Sequence, residues 1–356
     1  MKGNEKRPRR PGPWTPPPGL LPQREYAVEK ALRAQKLDQE TDIGRKIGLF
    51  LGLTFGISWA GIAAAWIFGI HYGDNFFTAM VNWIMVLPAL LVVILRKALG
   101  QKLDIDEMRI TPHLKEHWPR YIGAYLAPAL LVVVTAALYF LCFPGQFDPA
   151  GSTFVGILTD SGFDPKDAHD YLISGVLQGL FGGALVNIVP SFCEMLGFQG
   201  YLLPKLYQGF SRRGLRACLA SGAIWAAWYL PLIADGYLYG TGYPGAPVLG
   251  MAMGFLFHLA LGFLLSFLTL KTGSMLPAML TRGGISAGAA TALSFTSGDT
   301  SLLVGPSVYG AFGLGVLVLL AAVGAWRLLR LEKAGKLAYK APPQVKKPQE
   351  SKERKK

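Results

Sequence analysis

Apolar runs of close to twenty residues recur along this chain, and short polar segments separate them. A helix of that length crosses the roughly 30 Å hydrocarbon core of a bilayer. The pattern therefore predicts an all-α membrane protein, a bundle of eight transmembrane helices. The predicted spans are 47–70, 77–95, 121–143, 171–195, 218–234, 248–270, 274–295 and 308–329.

The segments outside these spans divide the chain into three regions. Residues 1–46 form a basic, proline-rich arm, and its second half has the composition of a helix on the membrane surface. Residues 47–329 form the membrane domain. Residues 330–356 form a Lys-rich tail that is predicted to be disordered.

Charge along the chain predicts how the protein is oriented. Of the 356 residues 51% are hydrophobic and 16% charged, and the formal net charge is +13. Lys and Arg concentrate in the two tails and in the loops 96–120 and 201–217, whereas the loop 148–170 is rich in Asp. Basic loops stay in the cytoplasm, so we expect a multi-pass protein of the cell membrane with both termini cytoplasmic. The basic segments are expected to contact anionic lipid rather than nucleic acid.

The sequence contains no motif that indicates a metal or cofactor site. Cys142, Cys193 and Cys218 lack the spacing of a metal site, and their odd number does not indicate a disulfide framework. The sequence contains no phosphate-binding loop, Gly-x-Ser-x-Gly elbow or His-Glu-x-x-His motif. We predict no metal and no cofactor.

Small residues predict where helices approach each other closely. Gly48, Gly52 and Gly56 recur at four-residue spacing in the first span, and Gly179 and Gly183 do so in the fourth. Such spacing places them on one helix face, where two backbones can come together in lipid.

Two charged residues inside apolar runs are the strongest functional candidates. Glu194 lies at the end of the fourth span and Arg282 lies within the seventh. A charge at membrane depth is costly unless it finds a partner, so we predict a Glu194–Arg282 ion pair. The alternatives are that Glu194 marks the helix exit and that Arg282 extends to the headgroups.

Other polar residues accompany this pair. His258 lies in the middle of the sixth span, where a lone histidine is more often a hydrogen-bonded packing residue than a ligand. Asn187 precedes Glu194 by seven residues and should project from the same side of the helix. We count both among the candidate binding residues.

Three separated segments carry a family resemblance. The first is Glu194-Met195-Leu-Gly-Phe-Gln199-Gly-Tyr-Leu; the second is Trp225-Ala-Ala-Trp-Tyr229-Leu-Pro; the third is Thr-Gly-Ser-Met-Leu-Pro-Ala followed by Arg282-Gly-Gly-Ile-Ser286. Together they resemble the CPBP (CAAX protease and bacteriocin-processing, Abi) family of intramembrane proteases, which is similar to the CAAX prenyl endopeptidases. The part of the chain that resembles this family covers about residues 171–295.

The resemblance implies an eight-helix bundle with a buried site that opens to the cytoplasm. It also implies motifs of the form Glu-Glu-x-x-x-Arg, Phe-x-x-x-His and His-x-x-x-Asn. In this chain Glu194 keeps the first motif acid, but Met195 replaces the second and Gln199 replaces the arginine. Tyr229 and Arg282 replace the two histidines, and Ser286 replaces the asparagine.

These departures decide the expected function. The family chemistry activates water with the glutamate, and losing the surrounding groups removes its orienting partners and an oxyanion donor. We therefore expect a catalytically degenerate relative that binds a membrane peptide or protein in the former substrate cavity, with Trp225 among its lining residues. The alternatives are an active endopeptidase using Glu194 and a proton-coupled transporter lined by Glu194, His258 and Arg282.

Overall fold

The computed structural model describes residues 20–211, 213–298 and 300–339, with side chains from residue 42 onward. The predicted proline-rich start of the arm (residues 1–19) and residues 340–356 of the tail lie outside the described residues. The chain divides into two compact units, residues 1–44 with 342–356, and residues 45–341. The site and all contacts discussed below belong to the second unit.

Regular structure in the described residues is helical. The α-helices are α1 (Leu20–Ile67), α2 (Asn75–Ala98), α3 (Leu114–Cys142), α4 (Ser152–Asp160), α5 (Pro165–Leu177), α6 (Gly183–Val186), α7 (Ile188–Met195), α8 (Leu203–Gly209), α9 (Gly214–Ala234), α10 (Val248–Thr272), α11 (Leu276–Gly288) and α12 (Ala311–Lys333). The π-helical stretch Gln178–Gly182 joins α5 to α6 within the fourth predicted span, and a second one, Leu196–Leu202, joins α7 to α8.

Most of the predicted spans appear as long apolar helices. Six helices of the described chain, α1, α2, α3, α9, α10 and α12, are long and apolar enough to cross a membrane. A seventh span is possible if the bent pair Pro165–Val186 and Ile188–Gly209 counts as one. The chain is thus a multi-pass membrane protein. The predicted span 274–295 corresponds to α11, which has only 13 residues, so the count of eight stays a prediction.

The fourth span is bent where the sequence predicts a straight helix. The two halves meet at 49° around Asn187. Pro190 follows within one turn and cannot donate a backbone hydrogen bond, which interrupts the helical ladder. The Asn187 side chain donates instead to the Gly183 carbonyl at 3.1 Å. This bend allows α7 to aim Glu194 into the bundle while α5 follows a different axis.

Loop contacts sort the helix ends into two groups. At the basic end, Met275 donates a backbone hydrogen bond to Arg109 at 2.8 Å, and Glu332 accepts one from the backbone of Gly214 at 2.5 Å. At the opposite, acidic end, the imidazole of His71 lies 2.8 Å from the Asp235 carboxylate. The start of α9 and the end of α12 therefore lie at the basic end, and the end of α9 lies at the acidic end.

Small residues bring α9, α10 and α11 close to their neighbours. A Cβ added at Gly222 would lie 2.7 Å from the backbone oxygen of Leu259, and one at Gly262 would lie 2.8 Å from the Cα of Gly222. One at Gly183 would lie 2.4 Å from the Cβ of Ala287. The predicted small-residue face of the fourth span therefore packs against α11.

The glycines of α1 behave differently from this prediction. A Cβ added at Gly48, Gly52 or Gly56 would meet nothing within 4 Å. Helix α1 contacts the bundle instead through large side chains, such as Phe50, whose ring centroid lies 5.2 Å from that of Tyr201. Large side chains on the packed face hold the backbones apart, so the glycine spacing brings no close approach within this chain.

Replacing a packed glycine should therefore be more costly than replacing an open one. We expect Gly222→Val to lower the free energy of unfolding by about 1–3 kcal/mol, because the new side chain overlaps the α10 backbone. Gly52→Val makes the same change on an open face of α1 and should have a much smaller effect. Thermal unfolding in detergent compares the two, and equal losses would contradict the close α9–α10 contact.

Candidate functional site

Four helices bring the predicted polar residues together inside the bundle. Glu194 lies in the last turn of α7, Trp225 and Tyr229 lie one turn apart on α9, His258 lies on α10, and Arg282 lies in the second turn of α11. All five side chains are buried. The site is therefore built from groups that are far apart in sequence.

The predicted ion pair is present at its centre. Nε of Arg282 lies 3.0 Å from Oε2 of Glu194. The Nε–H bond does not point at the oxygen well enough to count as a hydrogen bond, so the contact is mainly electrostatic. Only 1% of Glu194 and 6% of Arg282 is exposed, and at that depth each charge depends on the other.

The second carboxylate oxygen is also occupied. Oε1 of Glu194 accepts hydrogen bonds from Nε1 of Trp225 and from the hydroxyl of Tyr229, both at 2.7 Å. An ionised carboxylate has about four acceptor positions. Two hydrogen bonds and the guanidinium engage most of them, which leaves few positions free for a water molecule.

Arg282 also forms hydrogen bonds with two side chains that occupy motif positions of the resemblance. It donates from Nη2 to the Tyr229 hydroxyl at 2.7 Å and from Nη1 to the Ser286 hydroxyl. Its Cζ also lies 5.6 Å from the centroid of the Trp225 ring. Three substituted motif positions, 229, 282 and 286, thus belong to one hydrogen-bonded network with the retained Glu194.

His258 packs beside this network rather than within it. Its Nδ1 lies 2.7 Å from the carbonyl oxygen of Gly254, one turn earlier on α10. Since a carbonyl only accepts, Nδ1 carries the proton in this contact. The imidazole stacks on the Tyr229 ring, with centroids 4.1 Å apart. This agrees with the interpretation of His258 as a hydrogen-bonded packing residue.

Two further predicted site residues, Gln199 and Asn187, bond to neither Glu194 nor Arg282. Gln199 is buried in the π-helical stretch, and its Oε1 has no hydrogen-bond partner. Asn187 bonds to Gly183 at the helix bend. The seven-residue spacing does not bring Asn187 to the carboxylate, because the helix breaks at Asn187 itself.

Tyrosines of the acidic end, which sequence reasoning missed, cover the site. Tyr237 stacks on Tyr229 with centroids 6.1 Å apart, and Tyr72 packs edge-on against Tyr237 at 5.8 Å. Burial raises the pKa of Tyr237 and of Tyr309, so both stay neutral. Both are loop residues, Tyr237 in the segment 235–247 and Tyr309 just before α12. The aromatic content of the segment 235–247 is a sequence signal that could have found Tyr237.

Little space remains around these groups. A cavity of about 10 Å³ lies between Arg282, His258, Tyr237 and Tyr309. That is close to the smallest volume that holds one water molecule. Among the described residues no three His, Cys, Asp or Glu side chains are grouped as metal ligands. In this conformation the arrangement fixes a buried charge and leaves no room for a peptide.

Comparison with known families matches residues 176–288 to the Rce1-like family, described as Type II CAAX prenyl endopeptidase Rce1-like. This segment is CAAX-endopeptidase-like. The match confirms the resemblance that the three motifs predict, and it lies within the predicted core of 171–295. Among curated proteins, none matches this chain. The CAAX-endopeptidase-like segment runs from the end of α5 to the end of α11 and contains Glu194, Tyr229 and Arg282.

Breaking the ion pair on one side should destabilise the protein strongly. We expect Glu194→Gln and Arg282→Met each to lower the free energy of unfolding by about 3–5 kcal/mol, because each leaves a buried charge unpaired. The double variant should lose less than the sum of the two. Denaturation in detergent measures the cycle, and additive losses would rule out direct coupling.

A partly exposed pair supplies a comparison for this cycle. Glu107 is 68% exposed and pairs with Arg96, which is itself buried and also donates to the Lys102 carbonyl at 2.8 Å. Because Arg96 keeps that hydrogen bond, Glu107→Gln should lower the free energy of unfolding by less than Glu194→Gln does.

Proposed function

We propose that this protein is a non-catalytic relative of the CAAX prenyl endopeptidases that binds a membrane-embedded peptide or protein segment. One observation carries the proposal: the retained motif acid, Glu194, is bound to Trp225, Tyr229 and Arg282. A carboxylate whose acceptor positions are occupied in this way has little capacity left to bind and orient an attacking water molecule.

The substituted positions support the same conclusion. The guanidinium of Arg282 is always charged and cannot shuttle protons as an imidazole does. Tyr229 donates to Glu194 and accepts from Arg282, so its hydroxyl is already committed to the network. Among the described residues no further acid–base side chain bonds to Glu194, and His258 bonds to the Gly254 carbonyl instead.

The surface that favours peptide binding is an apolar groove away from the closed site. It has a volume of about 520 Å³, within the range of ligand pockets. Its lining is almost wholly aliphatic and aromatic: Val132, Val133, Ala136, Ala137, Phe140, Leu141, Phe147, Val176, Leu180, Thr291, Ala292 and Phe295. We assign to it the apolar part of a membrane peptide, including any attached hydrocarbon chain.

The groove adjoins the element that holds the buried pair. It lies between α3 and α5, and Thr291 and Ala292 on its wall follow directly after α11. A Cβ built on Gly288 of α11 would lie 3.6 Å from the side chain of the groove residue Val132. A bound peptide would thus contact residues that pack against, or directly follow, the helix that carries Arg282 and Ser286.

Two other functions draw less support. An active endopeptidase would need Arg282 to move away from Glu194 so that water and a peptide could enter the site. Arg282, Tyr229 or Ser286 would then donate hydrogen bonds to the oxyanion of the tetrahedral intermediate. A proton-coupled transporter would need a path past Glu194, His258 and Arg282. The neighbouring cavity of about 10 Å³ is too small for either.

A farnesylated peptide ending in a CAAX sequence tests the proposal directly. We expect the purified protein to bind a fluorescent peptide of this kind. Its rate of peptide cleavage should be at least about ten-thousand-fold below that of an active CAAX prenyl endopeptidase, since both a base and an oxyanion donor are missing. Fluorescence anisotropy reports binding and mass spectrometry reports cleavage. Cleavage that disappears in Glu194→Gln would establish the enzyme instead.

Variants at the groove separate specific binding from partition into detergent. Ala137→Trp fills the groove and should weaken peptide binding by about tenfold or more, as expected for an overpacked contact. Ala322→Trp adds the same side chain on an exposed position of α12 and should leave binding unchanged. Equal affinities for both variants would remove the groove from the proposal.

We also propose that the basic end faces the cytoplasm of a cell, as the distribution of Lys and Arg favours. In a background with all three cysteines replaced by Ala, Ser161→Cys at the acidic end should react with a membrane-impermeant maleimide in intact cells. Ser211→Cys at the basic end should react only after permeabilisation. The opposite labelling pattern would reverse the orientation.

A further inference from the structure

Three cations from three helices come together at the basic end. Arg120 lies on α3, Lys271 on α10 and Arg327 on α12. Nη1 of Arg120 donates to the backbone oxygen of Lys271 at 3.2 Å. Arg327 lies one turn after Gly324 of α12, and a Cβ built on Gly324 lies 3.6 Å from Phe267 of α10, one turn before Lys271. Both arginines thereby lie near enough to repel the Lys271 ammonium group. We call these three residues the basic cluster.

The basic cluster lacks a compensating acid. None of its members forms an ion pair with a carboxylate in the described part of the chain. Like charges held together at a partly buried position raise the energy of the protein. Helix packing therefore brings together charges that an external anion would stabilise.

A histidine extends the donor set of the cluster. Nδ1 of His117 lies 2.6 Å from Nη1 of Arg120. Since a guanidinium only donates, Nδ1 is the acceptor in this contact and the imidazole proton lies on Nε2. His117 therefore keeps an N–H donor available beside Arg120.

Exposed tryptophans mark the depth of the cluster in the membrane. Trp118 precedes Arg120 by two residues and is 56% exposed, and Trp326 precedes Arg327 and is 51% exposed. Arg330 packs over the Trp326 ring at 3.9 Å. Tryptophan is enriched at the level of the lipid headgroups, so the basic cluster lies where lipid phosphates are found.

We propose that Arg120, Lys271 and Arg327 form a binding site for the phosphate of an anionic phospholipid. The guanidinium groups match the geometry of phosphate oxygens, and the ammonium adds a point charge. Basic pockets between transmembrane helices bind headgroups of this kind. The site joins α3, α10 and α12 and is independent of the function proposed for Glu194.

Short-chain phosphatidylglycerol, added to the full-length protein in neutral detergent, tests this site. We expect a saturable rise in Tm that phosphatidylcholine of the same chain length does not produce. Replacing the three residues of the basic cluster by Gln should weaken the apparent affinity on the order of a hundredfold, from the typical effect of three basic groups near a membrane surface.

A matched variant controls for net charge. Lys102, Lys333 and Lys336 are exposed at the same end, and replacing all three by Gln should keep the affinity close to that of the original protein. An equal loss in both triple variants would show a diffuse attraction and overturn the proposal. An equal Tm rise with inorganic phosphate would assign the site to free phosphate instead of lipid.

A single substitution keeps the test decisive if the triple variant does not fold. Arg327 is exposed, so Arg327→Gln should fold normally. It should weaken phosphatidylglycerol binding about fivefold, and an unchanged affinity would overturn its place in the site.

Discussion

A buried carboxylate that cannot reach water must be matched from within the protein, and this requirement organises the centre of the bundle. Glu194 is 1% exposed, and its charge is balanced by Arg282 on a helix nearly ninety positions later in the chain. Removing either partner alone would leave an uncompensated charge in a medium that solvates it poorly. Helices α7, α9 and α11 are thereby tied to one another through a polar network.

The same network accounts for the substituted motif positions as a set. Tyr229, Arg282 and Ser286 stand where the resemblance implies histidines and an asparagine, and all three bond to one another or to Glu194. Each substitution is compatible with the others because Arg282 supplies donors and Glu194 accepts them. The aromatic rings of Trp225 and Tyr237 then exclude water, which strengthens the electrostatic contact.

Close packing by small residues makes this network possible. Gly222 and Gly262 let the α9 and α10 backbones meet, and Gly183 lets the fourth span meet α11. These contacts set the helix spacing at which Trp225, Tyr229 and Arg282 can reach one carboxylate. The bend at Asn187 completes the arrangement, because a straight helix would carry α7 along the axis of α5.

The sequence alone determined the membrane class, most of the long helices, the family resemblance and the Glu194–Arg282 contact. Apolar run length and the cost of a buried charge depend only on local composition and on the few polar residues available. The bend at Asn187, the roles of Trp225 and Tyr237, and the open glycines of α1 were decided only by tertiary structure. They depend on which faces meet and which loops fold over them, and residue spacing along one helix carries no such information. For the same reason the gathering of Arg120, Lys271 and Arg327 appears only once three helices are packed together.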